Sequence, residues 1–136
     1  MWWYDQTAIG AGEKLRDEFN IKTFVETGTY RGTNLRFWSY RFNFVFGVEV
    51  NRENYRQSSQ KLDGRPNVEL VCKDSSHFLS EFVANYYQDG RTDIILIYLD
   101  AHFYTPGGKK TKEDRWVVLR ELKALEGFKN CVLVIH

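Results

Sequence analysis

Strand-like and helix-like segments alternate along the chain, and this alternation most narrows what it can fold into. Five short apolar runs read as buried strands: Lys22–Glu26, Phe44–Glu49, Val68–Cys72, Ile94–Asp100 and Cys131–His136. The last two are nearly continuous in apolar residues, as strands covered on both faces by helices are. Helical periodicity fills the gaps. An opening helix from about Thr7 to Phe19 sets Ile9, Leu15 and Phe19 on one side. A second, from about Gly32 to Arg41, carries Leu35 and Trp38. A third starts at Asn51, a good N-cap, and stays polar until Leu62. Asp63-Gly64-Arg65-Pro66-Asn67 then breaks it. A fourth follows Ser75-Ser76, with Phe78, Phe82 and Tyr86 in register and Leu79 and Val83 beside them. A fifth begins near Thr111, where Thr111-Lys112-Glu113-Asp114 resembles a capping box, and its apolar positions are Leu119, Leu122, Leu125 and Phe128. The alternation implies right-handed crossovers and a parallel sheet between two helical layers, an α/β fold.

The chain has 136 residues, which suits one domain with one core, here residues 1–136. Hydrophobic content of 43% against 27% charged residues argues for a folded globular chain. The net charge of +1 argues against a dedicated nucleic-acid partner, which usually meets a basic excess. No apolar run approaches the roughly 18 residues needed to span a bilayer, so no membrane partner is expected. Met1-Trp2-Trp3-Tyr4-Asp5 lacks the pattern of a signal peptide and reads as an aromatic segment docked on the body. Cys72 and Cys131 lie in strand-like runs and read as buried free thiols. A cytoplasmic location follows as the expectation.

Ligands of open α/β sheets bind beyond the carboxyl ends of the strands. The residues expected there are Glu26, Glu49, Asp74, Asp100 and His136, four of them acidic and near-regularly spaced. The first turn is Glu26-Thr27-Gly28-Thr29-Tyr30-Arg31-Gly32. Gly28 lets the backbone approach a ligand, and Gly32 lets the next helix pack closely. The turn is not GxGxxG. A carboxylate at Glu26 would repel a dinucleotide pyrophosphate but favour a cationic ligand such as S-adenosylmethionine, which carries a sulfonium and an ammonium. Glu49 is placed to accept both hydroxyls of a ribose. Asp74 reads either as an acceptor for an adenine amino group or as a helix N-cap, with Ser75 and Ser76 as rival caps.

Val25-Glu26-Thr27-Gly28-Thr29-Tyr30-Arg31-Gly32, Val48-Glu49-Val50-Asn51, Lys73-Asp74-Ser75-Ser76 and Tyr98-Leu99-Asp100-Ala101-His102 together resemble the ordered motifs of the class I S-adenosylmethionine-dependent methyltransferases. The Glu-Thr-Gly-Thr-Tyr turn with Asp-Ala-His is similar to a subgroup near the macrocin O-methyltransferase and cephalosporin-hydroxylase-like families. The resemblance covers about Phe24 to His136. It implies a Rossmann-like sheet of about five strands in the order 3-2-1-4-5. That order puts Cys72 and Cys131 on opposite edges, roughly 19 Å apart and beyond disulfide reach. The family's sheet continues into a C-terminal antiparallel hairpin that this chain lacks. The expectation is a C-terminally truncated domain, or a homo-oligomer that covers the fifth-strand edge.

The same resemblance assigns roles. The turn of Glu26, Thr27, Gly28, Thr29, Tyr30 and Gly32 would hold the methionine part of S-adenosylmethionine. Glu49 would hold the ribose, Val50 would pack on the adenine, and Asp74 with Ser75 would meet its edge. Asp100 and His102 would face the methyl group or the acceptor, His102 as a base tuned by Asp100. The resemblance also leaves a divalent metal possible, since some similar natural-product methyltransferases use one, with Asp100, His102 and His136 as candidate ligands and magnesium favoured if the ligands are mainly carboxylates. The expected reaction is methyl transfer to a small-molecule hydroxyl or amine. The competing readings are a truncated non-catalytic module that binds a nucleoside or a partner, and an NAD-dependent oxidoreductase. His77 reads as an ordinary first-turn residue. Arg31, Arg36, Arg41, Arg52 and Arg56 read as a solvated face, with a phosphate-bearing substrate as the alternative. Lys109, Lys110 and Lys112 read as part of a loop, with a lid over an anionic substrate as the alternative.

Overall fold

The computed structural model describes residues 6–101 and 116–136. Its elements run α1 (Gln6–Glu18), β1 (Thr23–Thr27), α2 (Thr33–Ser39), β2 (Phe44–Val48), α3 (Arg52–Lys61), β3 (Val68–Val71), α4 (Ser75–Gln88), β4 (Ile95–Leu99), α5 (Val117–Ala124) and β5 (Cys131–Ile135). The five strands form one parallel sheet in the order β3-β2-β1-β4-β5, as the sequence leads one to expect.

Side chains alternate across the central strands, and so the sheet builds two cores. Val25, Val48, Ile95, Ile97 and Leu99 face α4 and α5, meeting Phe78, Leu79, Phe82 and Tyr86. Phe24, Val45 and Leu96 face the other way, onto Leu35 and Trp38 of α2 and Leu62 at the end of α3. Phe24, Trp38 and Phe42 form an aromatic cluster with ring centroids 5.2 to 5.6 Å apart. Each such ring contributes about 1.5–3 kcal/mol on full burial.

Local chemistry starts the helices where the site needs them. Asn51 caps α3, its side chain accepting from the Glu53 and Asn54 N–H groups. Asp74 caps α4 by accepting from the Ser76 and His77 N–H groups, so Ser75 and Ser76 lie inside the helix. His77 is exposed on the first turn, as expected.

Several expectations are corrected. Phe19 is 42% exposed, because α1 ends at Glu18 and the turn through Asn20 (φ 50°) buries Ile21 instead. Leu119 is 49% exposed, because the α5 face turned to the core runs through Val117 and Glu121. Cys72 is exposed and Cys131 only half-buried, since β3 and β5 are the sheet edges. Both thiols are free, in keeping with their places on opposite edges. The fifth run is apolar, yet Leu133 and Ile135 are exposed for the same edge reason. The N-terminal aromatics of residues 1–5, the Thr111–Asp114 capping box and the lysines at 109, 110 and 112 lie outside the described residues.

Among the described residues no helix is long and apolar enough to cross a membrane.

Candidate functional site

A cavity of about 620 Å³ opens at the carboxyl ends of β1, β2 and β4. Its wall brings together Gly28, Tyr30, Glu49, Val50, Asp74, Ser75 and Asp100, all expected there from the sequence. Asn51, Asn54, Lys73, Ala101 and Val117 also line it and were not anticipated as site residues. Glu26, Thr27, Thr29 and Gly32 are buried behind the wall.

The first turn is held by short links between strand ends. The Gly28 and Thr29 N–H groups both donate to the Val48 carbonyl, at 2.9 and 3.2 Å. The Asp100 N–H donates to Thr27 Oγ1 at 3.1 Å. Gly28 has φ +69°, and a Cβ there would run into the backbone of Asp100 and Ala101. Gly28→Ala is therefore expected to cost a few kcal/mol of stability, read as a fall in urea midpoint with unchanged slope. Gly32, at φ +77°, lets Ser58 of α3 approach its backbone, so the close packing is with α3 rather than with the next helix, α2.

Glu49 is 7% exposed and already oriented. Its Oε2 accepts from the Tyr30 N–H at 2.7 Å, and its Oε1 from the Asn51 N–H at 2.9 Å. Each oxygen keeps a lone-pair site for a ligand hydroxyl. The same link holds Tyr30 at φ 51°, a conformation costly for a non-glycine residue. Val50 is 48% exposed beside it and offers an apolar wall.

Asp74 takes the N-cap reading and also reaches the cavity. Its Oδ1 serves the α4 cap, accepting from Ser76 and His77, while the residue also lines the cavity. Burial raises its pKa, but bonds from Ser76 and His77 outweigh burial and hold the carboxyl below its ordinary value.

Glu26 is 1% exposed. Asn34 Nδ2 donates to its Oε1 at 2.5 Å, and its Oε2 has no hydrogen-bond partner among the described residues. Burial pushes its pKa up to about 8; the Asn34 bond opposes this, and the charges of Asp100 and Glu49 add to it. In the protein alone Glu26 therefore carries its proton near pH 7, which revises the expectation of an ionised carboxylate in the turn. Thr29 Oγ1 is a second buried oxygen without a partner among the described residues. Asn34 had no sequence signal beyond being a polar residue in the first turn of α2.

Asp100 meets His136, the residue expected at the end of the fifth strand. The β4–β5 register pairs Leu99 with Ile135, so the next residues lie side by side. His136 Nδ1 is 3.1 Å from Asp100 Oδ1, and its N–H donates to the Leu99 carbonyl at 3.0 Å. The imidazole stacks near the Tyr98 ring, centroids 6.0 Å apart. The strand order, once known, is the signal that pairs them. His102 lies outside the described residues. Among the described residues no group of three or more His, Cys, Asp and Glu side chains is arranged to hold a metal.

No protein-family model matches the chain, and no curated protein matches it. Solved structures do. A Streptococcus mutans protein assigned as a methyltransferase, in complex with SAH, is 15% identical over 93% of this chain, with a TM-score of 0.62. An rRNA methylase from Streptococcus thermophilus is 15% identical over 93% of the chain, with a TM-score of 0.57. SAM-bound CalS10, an amino pentose methyltransferase of Micromonospora echinaspora involved in calicheamicin biosynthesis, is 16% identical over 99%, with a TM-score of 0.60. The chain spans 70%, 69% and 50% of these three proteins respectively. At such identities the likeness is one of fold: the chain has the Rossmann-like fold of the class I methyltransferases.

Proposed function

We propose that this chain binds S-adenosylmethionine and supports methyl transfer to a hydroxyl or amine of a small molecule, in the manner of the macrocin O-methyltransferase-like enzymes its motifs resemble. The observation that carries the reading is the acidic cavity wall of Glu49, Asp74 and Asp100, with Glu26 buried behind it, its pKa raised first by burial and then by the charges of Asp100 and Glu49. Lys73, the cation on the cavity wall, is paired with Glu81 at 2.6 Å. Such a cavity attracts a cationic ligand and repels a pyrophosphate, which weighs against an NAD-dependent oxidoreductase. The neighbours bound to SAM and SAH support the same choice of ligand.

The residues present fit that ligand. Glu49, pre-oriented by two backbone N–H groups, accepts the ribose hydroxyls. Val50 packs on the purine, and Asp74 with Ser75 meets its polar edge. The turn of Thr27, Gly28, Thr29, Tyr30 and Gly32 cradles the methionine part; behind it Glu26 Oε2 and Thr29 Oγ1 are buried polar atoms without a hydrogen-bond partner among the described residues. When bound, S-adenosylmethionine supplies an electrophilic methyl group. Asp100 orients His136 through Nδ1, which leaves Nε2 to take the proton of the acceptor hydroxyl. His102, two residues beyond Asp100, is the alternative base. Asp100 and His136 are the residues that would hold a divalent ion, and such an ion would supply Lewis-acid polarisation of the acceptor hydroxyl.

The test is transfer of label from S-adenosyl[methyl-³H]methionine to a panel of sugars, phenols and amines, with single-stranded RNA as a separate acceptor. Label in small molecules, with kcat lowered about a hundredfold or more in Asp100→Asn, is the expected result. Label in RNA alone would overturn the small-molecule acceptor. Tight binding of a nicotinamide cofactor with none of S-adenosylhomocysteine would overturn the whole reading.

A further inference from the structure

A second concavity, of about 400 Å³, lies along the outer side of α2. It is lined by Thr33, Arg36, Phe37, Tyr40, Arg41 and Lys61. Three of these six side chains are cations and none is an acid, in a chain whose net charge is only +1. This local excess is what the sequence, read one residue at a time, presents as a solvated helix face.

Two of the three cations, Arg41 and Lys61, are held rather than loose. The Arg41 guanidinium lies 3.5 Å from the Phe37 ring centroid and donates through Nη1 to the Phe37 carbonyl at 3.1 Å. Its Nε donates to Glu13 of α1 at 3.0 Å, so Glu13 offsets one charge at that end. Lys61 Nζ donates to Thr33 Oγ1 at 2.7 Å, which fixes the ammonium at the α3 side with N–H groups to spare. Behind the groove, Arg65 stacks 3.7 Å from the Tyr40 ring centroid and is tied to Ser39 by two hydrogen bonds. Arg36 is exposed and makes no side-chain hydrogen bond or ion pair among the described residues. It sits between the two fixed cations along α2. Stacking and hydrogen bonding remove much of the entropy a long cation loses on meeting an anion.

We propose that this groove binds a small phosphoanion with two adjacent phosphate charges, an organic diphosphate, between Arg36, Arg41 and Lys61. The size favours a small ligand, since pockets for such molecules begin at about 300 Å³. The charge pattern disfavours a nucleic-acid strand, which needs a longer basic path, whereas Glu13 interrupts this one beside Arg41. Two adjacent phosphates match a fork-shaped donor flanked by a point charge. The proposal is independent of the methyl-transfer reading, because the groove shares no lining residue with the strand-end cavity.

The experiment is calorimetric titration of the full chain with inorganic pyrophosphate, orthophosphate and a single-stranded RNA oligonucleotide, each repeated in saturating S-adenosylhomocysteine. Pyrophosphate is expected to bind at least about tenfold more tightly than orthophosphate, with or without S-adenosylhomocysteine. The double variant Arg36→Ala/Lys61→Ala is expected to weaken it at least about tenfold while leaving the circular dichroism melt unchanged. If losing the Lys61–Thr33 bond disturbs the fold, Arg36→Ala alone carries the same expectation at about threefold or more. Absence of pyrophosphate binding by the folded chain overturns the proposal, as does undiminished binding by the variants. Displacement of pyrophosphate by S-adenosylhomocysteine would assign it to the other cavity and overturn it too. RNA binding tighter than pyrophosphate would replace the diphosphate with a nucleic acid.

Discussion

Glu49→Ala is expected to weaken S-adenosylhomocysteine binding at least a hundredfold, to the limit of calorimetric detection. Hydrogen bonds to a charged group contribute about 1.5–3 kcal/mol each, and a ribose diol makes two with this carboxylate. The side chain is also structural, since its removal leaves the Tyr30 and Asn51 N–H groups without their acceptor and frees Tyr30 from its positive φ. A stability loss of about 1–3 kcal/mol is therefore expected alongside. Glu49→Gln is the milder variant. It keeps the shape and one acceptor oxygen but turns an amide NH2 towards either the Tyr30 or the Asn51 N–H, so about half of the stability loss and roughly tenfold weaker binding are expected. A folded Glu49→Ala that binds as the native chain does would remove Glu49 from the site. A folded native chain that binds no S-adenosylhomocysteine would remove the enzyme reading itself.

The second large effect is a pH dependence centred on Glu26. Its folded pKa of about 8 stands above the ordinary 4.5, so between these values the folded state holds a proton that the unfolded chain gives up. The stability this supplies is fully present below about pH 4.5 and is lost as pH rises through about 8. Glu26→Gln, which is neutral at every pH, is expected to abolish the loss. The native chain should melt on the order of 10 °C lower at pH 8.5 than at pH 5.5, with the variant nearly flat across that range. A native profile as flat as the variant's would mean that Glu26 is solvated or already ionised. Ligand binding has the opposite sign. A cation favours the ionised carboxylate, so binding of S-adenosylmethionine releases a proton and tightens by up to about tenfold per pH unit towards pH 8. Calorimetry in two buffers of different ionisation enthalpy reads that proton directly.

Much of the architecture was legible because it depends on local patterns. Alternating apolar runs and helical periods gave the five strands and the first four helices with ends within a few residues of those observed, and a fifth helix whose expected start at Thr111 lies outside the described residues. Asn51 and the Asp63–Asn67 break were read from short-range chemistry, and the structure bears them out. The misreadings share one cause. Phe19, Leu119, Cys72 and the β5 side chains are apolar or strand-like in sequence, yet exposed. Which apolar residue reaches the core depends on where a helix ends and which strand is an edge, and neither is a property of the residue.

The site divides the same way. The sequence by itself determined which residue types stand at the strand ends: Glu26, Glu49, Asp74 and Asp100, with Gly28 in the first turn. That order follows from the βα repeat, because each strand delivers its last residue to one rim. Only the tertiary structure decided their states. It buried Glu26 and so raised its pKa, divided Asp74 between cap and cavity, and set His136 against Asp100. It also gathered Arg36, Arg41 and Lys61 into one groove. Burial, charge proximity and cross-strand register act between residues far apart in the chain, and so they exist only once the sheet has closed them together.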